Sequence, residues 1–152
     1  MSEENQQFAI QKIYLKDVSL ESPNSPKVFT DGEWKPEINV QINTANQSVG
    51  ENLYEVVLTI TVTAKQGDST AFLVEVKQAG VFTIAGFTEE NQTGMIGAYC
   101  PEALFPFARE AISELVSKGG FPQLLLAPVN FNALFAQQQQ QQAEASEESK
   151  AH

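Results

Sequence analysis

Two acidic side chains near the start of the sequence and one cysteine further on are the residues whose types could support chemistry. Asp17 and Glu21 lie four positions apart, and two carboxylates can in principle work as general acid and general base. Carboxylates at this spacing, with no other polar cluster beside them, are more often a solvated acidic edge, which is the interpretation we favour. A small enzyme or ligand-binding domain that uses Tyr14, Asp17 and Cys100 stays open as the alternative.

Nucleophilic and metal-based catalysis have little support in the sequence. The only histidine is His152, the last residue, so a histidine-based triad or metal site has no partner within the chain. Cys100 has no histidine to lower its pKa, which favours a buried and unreactive thiol. No glycine-rich nucleotide-binding or phosphate-binding motif is present. We therefore expect no catalytic residue, no metal and no cofactor.

The charge balance narrows the choice of partners. The 152 residues include 19 acidic and 9 basic side chains, which gives a formal net charge of -10. A surface of this sign repels nucleic-acid backbones and anionic lipid, so we expect neither nucleic acid nor membrane insertion. Basic polypeptide segments fit better as partners, with an acidic composition that serves only solubility as an equal alternative.

Several features favour a cytoplasmic protein with one folded domain. Met1–Gln7 is polar and lacks the basic start and apolar stretch of a secretory signal, and no apolar run approaches the roughly 20 residues that span a bilayer. A single cysteine excludes an internal disulfide and fits a reducing compartment. We expect a flexible N-terminus at residues 1–7, a domain at residues 8–136 and a disordered tail at residues 137–152.

The segment from Phe8 to Leu20 predicts a long first strand with an irregular register. Phe8 and Ile10 share one alternating phase, the next two apolar residues take the other, and Val18 returns to the first. Because side chains alternate between the two faces of a strand, these slips predict bulges or burial on both faces. We expect a bent first strand.

Three further strands are predicted after an irregular connection. Residues 22–35 contain two prolines and an Asp-Gly pair, which favour a long loop. Residues 37–44, 54–64 and 71–87 alternate apolar with polar or semi-apolar side chains, the pattern of half-buried strands. The predicted class is α+β with a four-stranded antiparallel sheet, whose second face is apolar enough to favour oligomerisation.

Helical spacing replaces strand alternation in the second half of the sequence. Apolar residues recur at helical intervals from Leu104 to Leu115, and Lys118 followed by two glycines predicts the end of the helix. Pro101 and Pro106 are expected to start and to kink it.

The last part of the sequence predicts a short helix and then disorder. Asn130 is suited to cap a helix that carries Phe131, Leu134 and Phe135. The six glutamines Gln137–Gln142 and the acidic residues after them have nothing apolar to bury, which is typical of a disordered tail.

Three stretches of the sequence resemble a known family, in its order and at its spacing. They are IYLKDVSLESPNSP at 13–26, AYCPEALFPFARE at 98–110 and GGFPQLLLAPVNFNALF at 119–135, and the family is SecB. The resemblance implies a Greek-key-like four-stranded antiparallel sheet with two helices, assembled as a homotetramer built from a dimer of dimers. It also implies a cytoplasmic chaperone that binds unfolded secretory precursors without nucleotide and delivers them to the SecA motor.

The same resemblance implies three sets of site residues. A dock for the short basic zinc-binding tail of SecA would use Asp17, Glu21, Leu73 and Glu75. A client-binding groove would use Trp34, Phe121, Leu124, Leu126, Phe131 and Phe135, with closure of the core by these residues as the alternative. Subunit contacts would use Val74, Val76 and Gln78 of the fourth strand and Leu104 and Ile112 of the first helix. A SecB-like chaperone dedicated to one partner, such as an antitoxin, is the alternative function.

Overall fold

A computed structural model describes the backbone of residues 5–151 and the side chains of residues 5–147. Most of the N-terminal segment predicted to be flexible lies outside the described residues, and Gln7 already begins the first strand.

All four strands belong to one antiparallel sheet. They are β1 (Gln7–Glu21), β2 (Glu37–Gly50), β3 (Leu53–Gln66) and β4 (Ser69–Ala85). Their order across the sheet is β1-β4-β3-β2. Short turns join β2 to β3 and β3 to β4, while the long connection between β1 and β2 leaves β1 beside β4, which is a Greek-key arrangement. The predicted α+β class with a four-stranded antiparallel sheet is confirmed.

The first strand contains two bulges, as the slips in its apolar pattern predict. Gln11 and Lys16 have no opposite residue in the register between β1 and β4. Each extra residue reverses the alternation, so all the large apolar side chains of β1 face one side of the sheet. These side chains are Phe8, Ile10, Ile13, Leu15, Val18 and Leu20.

A long helical segment follows the sheet and begins earlier than the apolar spacing predicts. It consists of α1 (Glu89–Gly94), a π-helical turn (Met95–Tyr99) and α2 (Cys100–Lys118). Thr88 caps it, because its side chain accepts a hydrogen bond from the N–H of Asn91 at 3.2 Å. Pro101 lies in the first turn of α2 and cannot donate a helical hydrogen bond, and the π-helical turn lies directly before it.

The end of α2 is where the sequence predicts it. Gly119 follows the last helical residue, and Gly120 has a φ of 89°, in the left-handed region that glycine enters without strain. Within residues 5–151, no helix combines the length and the apolar character that crossing a membrane requires.

The core lies between the sheet and α2, which packs on β4 and β3. We call the sheet face against α2 the inner face and the opposite one the outer face. Gly80 is at the centre of the contact, since a Cβ there would meet Leu104 of α2 at 3.1 Å and the ring of Phe82 at 2.9 Å. The absence of a side chain at Gly80 therefore allows the helix and the sheet to approach closely.

The last helix, α3 (Phe131–Ala151), is longer than predicted. Asn130 caps it as expected, with its Oδ1 accepting from the N–H of Ala133 at 3.0 Å. The helix continues through Gln137–Gln142 and the acidic residues beyond, where the sequence predicts disorder. Glutamine, alanine and glutamate all have favourable helix propensities, which accounts for the difference. The boundaries of a separate chaperone domain and tail stay a prediction.

Candidate functional site

The four residues predicted for the SecA dock lie together on the outer face. The opposed pairs of β1 and β4 are Asp17 with Lys77, Ser19 with Glu75, and Glu21 with Leu73. Residues directly opposite each other in an antiparallel pair share a face, so the three carboxylates and Leu73 all lie on the outer face. Asp17 and Glu21 are exposed, whereas Leu73 and Glu75 are half-buried. We call these four residues the acidic patch, and their binding role stays a prediction.

Threonines of β3 continue the outer face next to the acidic patch. Thr61 lies opposite Glu75, and its Oγ1 donates a hydrogen bond to Glu75 Oε1 at 3.0 Å. This bond orients the carboxylate, so Glu75 is the most constrained of the three acids of the patch.

A second polar cluster on the outer face is centred on Glu55 of β3, which the sequence analysis missed. Only 7% of Glu55 is exposed. Lys16 Nζ lies 2.8 Å from Glu55 Oε1 and 3.1 Å from Oε2, and Gln47 Nε2 donates to Oε1 at 3.0 Å. The hydroxyl of Tyr14 also donates to Glu55. Nothing in local spacing identifies this cluster, because its members come from β1, β2 and β3.

The Glu55 cluster changes the proton affinities of two of its members. Hydrogen bonds from Lys16 and Tyr14 hold the pKa of the Glu55 carboxyl below its ordinary value, against the opposing effect of burial. Burial, followed by the hydrogen bond to Glu55 and the charge of Glu55, raises the pKa of Tyr14 to about 12. Glu55 is therefore ionised and Tyr14 protonated at neutral pH.

An aromatic cluster forms where the connection between β1 and β2 meets the segment after α2. The ring of Phe121 lies 4.9 Å from Phe72, 5.1 Å from Phe29 and 5.5 Å from Trp34, measured between ring centroids. Phe121 and Phe72 are buried, Trp34 is half-buried and 48% of Phe29 is exposed. The cluster therefore extends from the core to the surface.

The six residues predicted for the client groove divide into two groups. Phe121, Leu126 and Phe131 are 5%, 8% and 3% exposed, so in the single chain they close the core. Trp34, Leu124 and Phe135 are half-buried and retain surface. Contact with a client stays a prediction for all six. Two more exposed apolar residues, Phe29 at 48% and Leu125 at 66%, lie in the same loops.

Phe135 belongs to a separate opening between α1 and α3. A cleft of about 1050 Å³ is lined there by apolar Phe87, Met95 and Phe135 and by acidic side chains that include Glu89 and Glu102. Its mixed lining extends the acidic character of the molecule to a face where the sequence predicted no site.

The five residues predicted for subunit contacts are core residues of this chain. Val74, Val76, Leu104 and Ile112 have no exposed surface, and Gln78 is 3% exposed. Side chains enclosed in this way have no surface left for a partner, so a contact that involves them is indirect. Large side chains of β1 on the same face are exposed instead: 52% of Leu15, opposite Gln78, 41% of Val18, opposite Val76, and 46% of Ile10, further along the strand.

The structure separates the three residues on which the enzyme alternative depends. Tyr14 and Asp17 are on the outer face, whereas Cys100 is fully buried in the core on the other side of the sheet. Burial raises the pKa of the Cys100 thiol to about 12, which makes it a poor nucleophile. In the part of the chain whose side chains are described, no three histidine, cysteine or acidic side chains come close enough to hold a metal ion.

Comparison with known proteins gives a consistent result. The family model described as SecB, preprotein translocase subunit SecB, matches residues 1–142. A protein-export protein SecB from Nitrosococcus oceani is 62% identical over 147 residues, which cover 95% of this chain and 90% of the relative. One from Methylococcus capsulatus is 52% identical and covers all of both chains.

A solved structure shares the fold at much lower sequence identity. A SecB-like chaperone of Mycobacterium tuberculosis, in complex with a peptide from an antitoxin, superposes with a TM-score of 0.66 at 18% identity. The match covers 80% of this chain and 90% of that one. The sheet and helices described above are therefore those of a known chaperone fold.

Proposed function

This chain belongs to the SecB family, and from this membership we propose that it is a cytoplasmic protein-export chaperone without catalytic activity. It binds unfolded secretory precursors without nucleotide, keeps them competent for translocation and delivers them to the SecA motor.

The observation that carries the proposal is the presence of two chemically different surfaces on one sheet. The aromatic cluster around Phe121 and Trp34 opens at the sheet end near the loops, and the acidic patch occupies the outer face. A holdase that hands over its client needs both an apolar surface for the client and a separate surface for the motor. The two surfaces allow both partners to bind at once.

The apolar surface suits clients of varied sequence. Aromatic rings contribute large contact areas with little loss of side-chain entropy, and they discriminate weakly between apolar partners. Trp34 and Phe29 retain exposed surface, and both rings pack on Phe121, which in turn packs on Phe72. We propose that extended apolar segments of precursors bind across these rings and across Leu124 and Leu125 nearby.

The acidic patch suits a short basic segment such as the zinc-binding tail of SecA. The three carboxylates offer charge complementarity and Leu73 offers one apolar anchor. Each exposed ion pair is worth less than about 1 kcal/mol, so the affinity depends on several pairs and falls as the salt concentration rises.

Assembly as a dimer of dimers fits the exposed apolar side chains. β1 is an edge strand, and Ile10, Leu15 and Val18 form an exposed row along it. We propose that two chains join along this row and that a second contact uses the helical segment, where Tyr99 is 53% and Phe107 is 45% exposed. Leu15 and Val18 lie opposite Gln78 and Val76, so substitutions at those predicted interface positions would act through the row.

Substitution of Glu75 by lysine tests the dock. Glu75→Lys reverses the charge of the most constrained carboxylate, so we expect binding of a zinc-loaded SecA tail peptide to weaken strongly in calorimetry. Glu51→Lys, in the exposed turn between β2 and β3, changes the net charge equally and serves as the control. Unchanged binding by Glu75→Lys would show that the motor docks elsewhere.

Refolding of a slow-folding secretory precursor tests the chaperone function. We expect stoichiometric chaperone to stop refolding of the denatured precursor without nucleotide, while the mature and faster-folding form escapes. If neither form is retarded and no complex forms, general export is wrong, and a chaperone dedicated to one partner replaces it.

A further inference from the structure

The second bulge of β1 decides which way two acids of the acidic patch, Asp17 and Glu21, point. Before the bulge, Tyr14 faces outward, opposite Ala79; after it, Asp17 faces outward, opposite Lys77. In an unbroken strand, side chains alternate, so Asp17 and Glu21 would face the inner side and Val18 would face outward. The extra residue Lys16 therefore brings Asp17 and Glu21 to the outer face, beside Leu73 and Glu75 of β4.

On the outer face, the Glu55 carboxylate binds the bulged residue Lys16 and nearby Tyr14. Lys16 Nζ lies 2.8 and 3.1 Å from the two carboxylate oxygens of Glu55. The hydroxyl of Tyr14, two residues before Lys16, donates a hydrogen bond to the same carboxylate. β1 and β3 are not adjacent, so both side chains cross β4 to reach Glu55. Tyr14 lies opposite Ala79 of β4, whose side chain is small and fully buried.

A side chain of the neighbouring strand, β4, also stabilises the bulge. A bulge disturbs the ladder and leaves backbone groups in need of partners. The carbonyl oxygen of Tyr14 accepts a hydrogen bond from Gln78 Nε2 at 3.0 Å, and Gln78 is 3% exposed. The backbone next to Lys16 is thus held by a buried amide in addition to the buried carboxylate.

We propose that Glu55 is a positioning residue for the SecA dock: by binding Lys16 and Tyr14 it holds the bulge that turns Asp17 and Glu21 to the outer face. The inference rests on the proposed function, because it concerns the same acidic patch. Glu55 does not contact the partner itself. Its own charge is neutralised by Lys16, and its role is to fix the register of the strand that carries two of the three dock carboxylates.

A purely stabilising role would not require this chemistry. A buried ion pair has to recover the cost of removing both charges from water, and an apolar replacement of similar size is often equally stable. An apolar side chain at position 55 would still pack, yet it would offer no group that selects Lys16 as the bulged residue. Selection of register is the role for which buried polar groups have the best support.

Lys16→Ala tests the proposal, because positioning and simple electrostatics predict opposite signs. Removing a positive charge next to Asp17 makes the patch more negative, so electrostatics alone predicts tighter binding of a basic peptide. Positioning predicts that binding of the zinc-loaded SecA tail peptide weakens by about tenfold, the scale of a lost hydrogen bond to a charged group. Lys12→Ala is the matched control, since Lys12 lies on the outer face of β1, opposite Val81 and ahead of the second bulge.

A charge exchange and a client assay separate positioning from general damage. The double variant Lys16→Glu with Glu55→Lys restores an ion pair at the bulge but not the hydrogen bond that the Tyr14 hydroxyl donates to Glu55, so we expect it to recover part of the lost peptide binding. Precursor retention should be unchanged in all these variants, because the aromatic cluster lies elsewhere.

The outcomes distinguish this inference from the proposed function. If Glu75→Lys loses peptide binding but Lys16→Ala binds as tightly as Lys12→Ala or more tightly, the dock stands and the positioning role of Glu55 is wrong. Equal losses of peptide binding and precursor retention in Lys16→Ala would also overturn it, since they would indicate general destabilisation. If Glu75→Lys leaves peptide binding intact, both the proposed dock and the positioning role of Glu55 are wrong.

Discussion

At the scale of single residues, the most informative side chain is one whose type suggested nothing. Glu55 is a buried carboxylate that three donors from two other strands hold in place. A buried charge is stable only when it is well paired, so its surroundings are tightly constrained. Its partner Lys16 directly precedes Asp17 of the acidic patch, which links a buried network to a surface.

Glu55 should make the stability of the protein sensitive to acid. Its pKa is lower in the folded protein than the ordinary value of 4.5, so the stabilisation is present above that pH and is lost as the pH falls through the folded pKa. We expect Glu55→Gln to flatten the fall in the free energy of unfolding below about pH 4.5, measured by urea denaturation across pH. Glu51→Gln is the control, and the same flattening in both variants would contradict the prediction.

Trp34 and Phe121 should separate client binding from stability. Phe121→Ala removes a buried ring that contacts three aromatic neighbours, so we expect a loss of about 3 to 5 kcal/mol in the free energy of unfolding. Trp34→Ala removes a half-buried ring and should reduce precursor retention with a smaller loss of stability. If Trp34→Ala retains the precursor as well as the unsubstituted protein does, Trp34 is not part of the client groove.

At the scale of elements, Phe135 near the start of α3 packs against Gly97 of the helical segment. A Cβ at Gly97 in the π-helical turn would overlap the ring of Phe135, so the first turns of α3 lie directly on the backbone there. The π-helical turn and α3 thus form one unit, and the cleft lined by Phe135 depends on that unit. Beyond Gln142 the helix is exposed on all sides in the residues whose side chains are described.

Two alanine substitutions in the helical segment should have opposite effects. Gly97→Ala introduces a methyl group where the Phe135 ring lies, so we expect a lower melting temperature and release of the start of α3. Gly94→Ala is the matched control, because nothing lies within 4 Å of its Cβ position and its backbone is helical. That variant should be more stable by about 0.5 to 1 kcal/mol. A stabilising Gly97→Ala in thermal denaturation would contradict the close packing of α3.

At the scale of the whole molecule, the inner face of the sheet is wider than the helix that covers it. α2 packs on β4 and β3, and the edge strands keep apolar side chains exposed on the same face: Ile10, Leu15 and Val18 on β1, and Ile38 and Val40 on β2. A protein with two uncovered apolar edges is expected to bury at least one of them in an assembly. This is the physical basis for the proposed tetramer.

Val18→Asp should break the proposed contact along β1. A carboxylate in the middle of the apolar row would have to be desolvated in the interface, so we expect a smaller mass in light scattering at micromolar concentration. Val49→Asp is the control, since Val49 is 48% exposed near the turn between β2 and β3, away from the row. An unchanged tetramer in Val18→Asp would move the contact to the helical segment or to β2.

Much of the fold follows from local patterns that the sequence contains. Strand alternation and the apolar slips of β1 depend on neighbours one to three positions apart, so the strands and both bulges were predictable. Helix ends at Gly119 and Asn130 are also local. The start of the helix was missed because Thr88 and the residues after it have no apolar stripe, and helix in the tail was missed because composition does not distinguish a solvated helix from disorder.

Only the tertiary structure decided which residues share a surface. The sequence by itself determined the family, the class of fold and the residue types of the acidic patch and the aromatic cluster. The hydrogen bond from Tyr14 to Glu55 joins residues 41 positions apart across an intervening strand, and no pattern of spacing encodes such a contact. Burial of Val76 and exposure of Val18 were also undecided, because an alternating pattern shows which residues share a face and not how far a helix covers it.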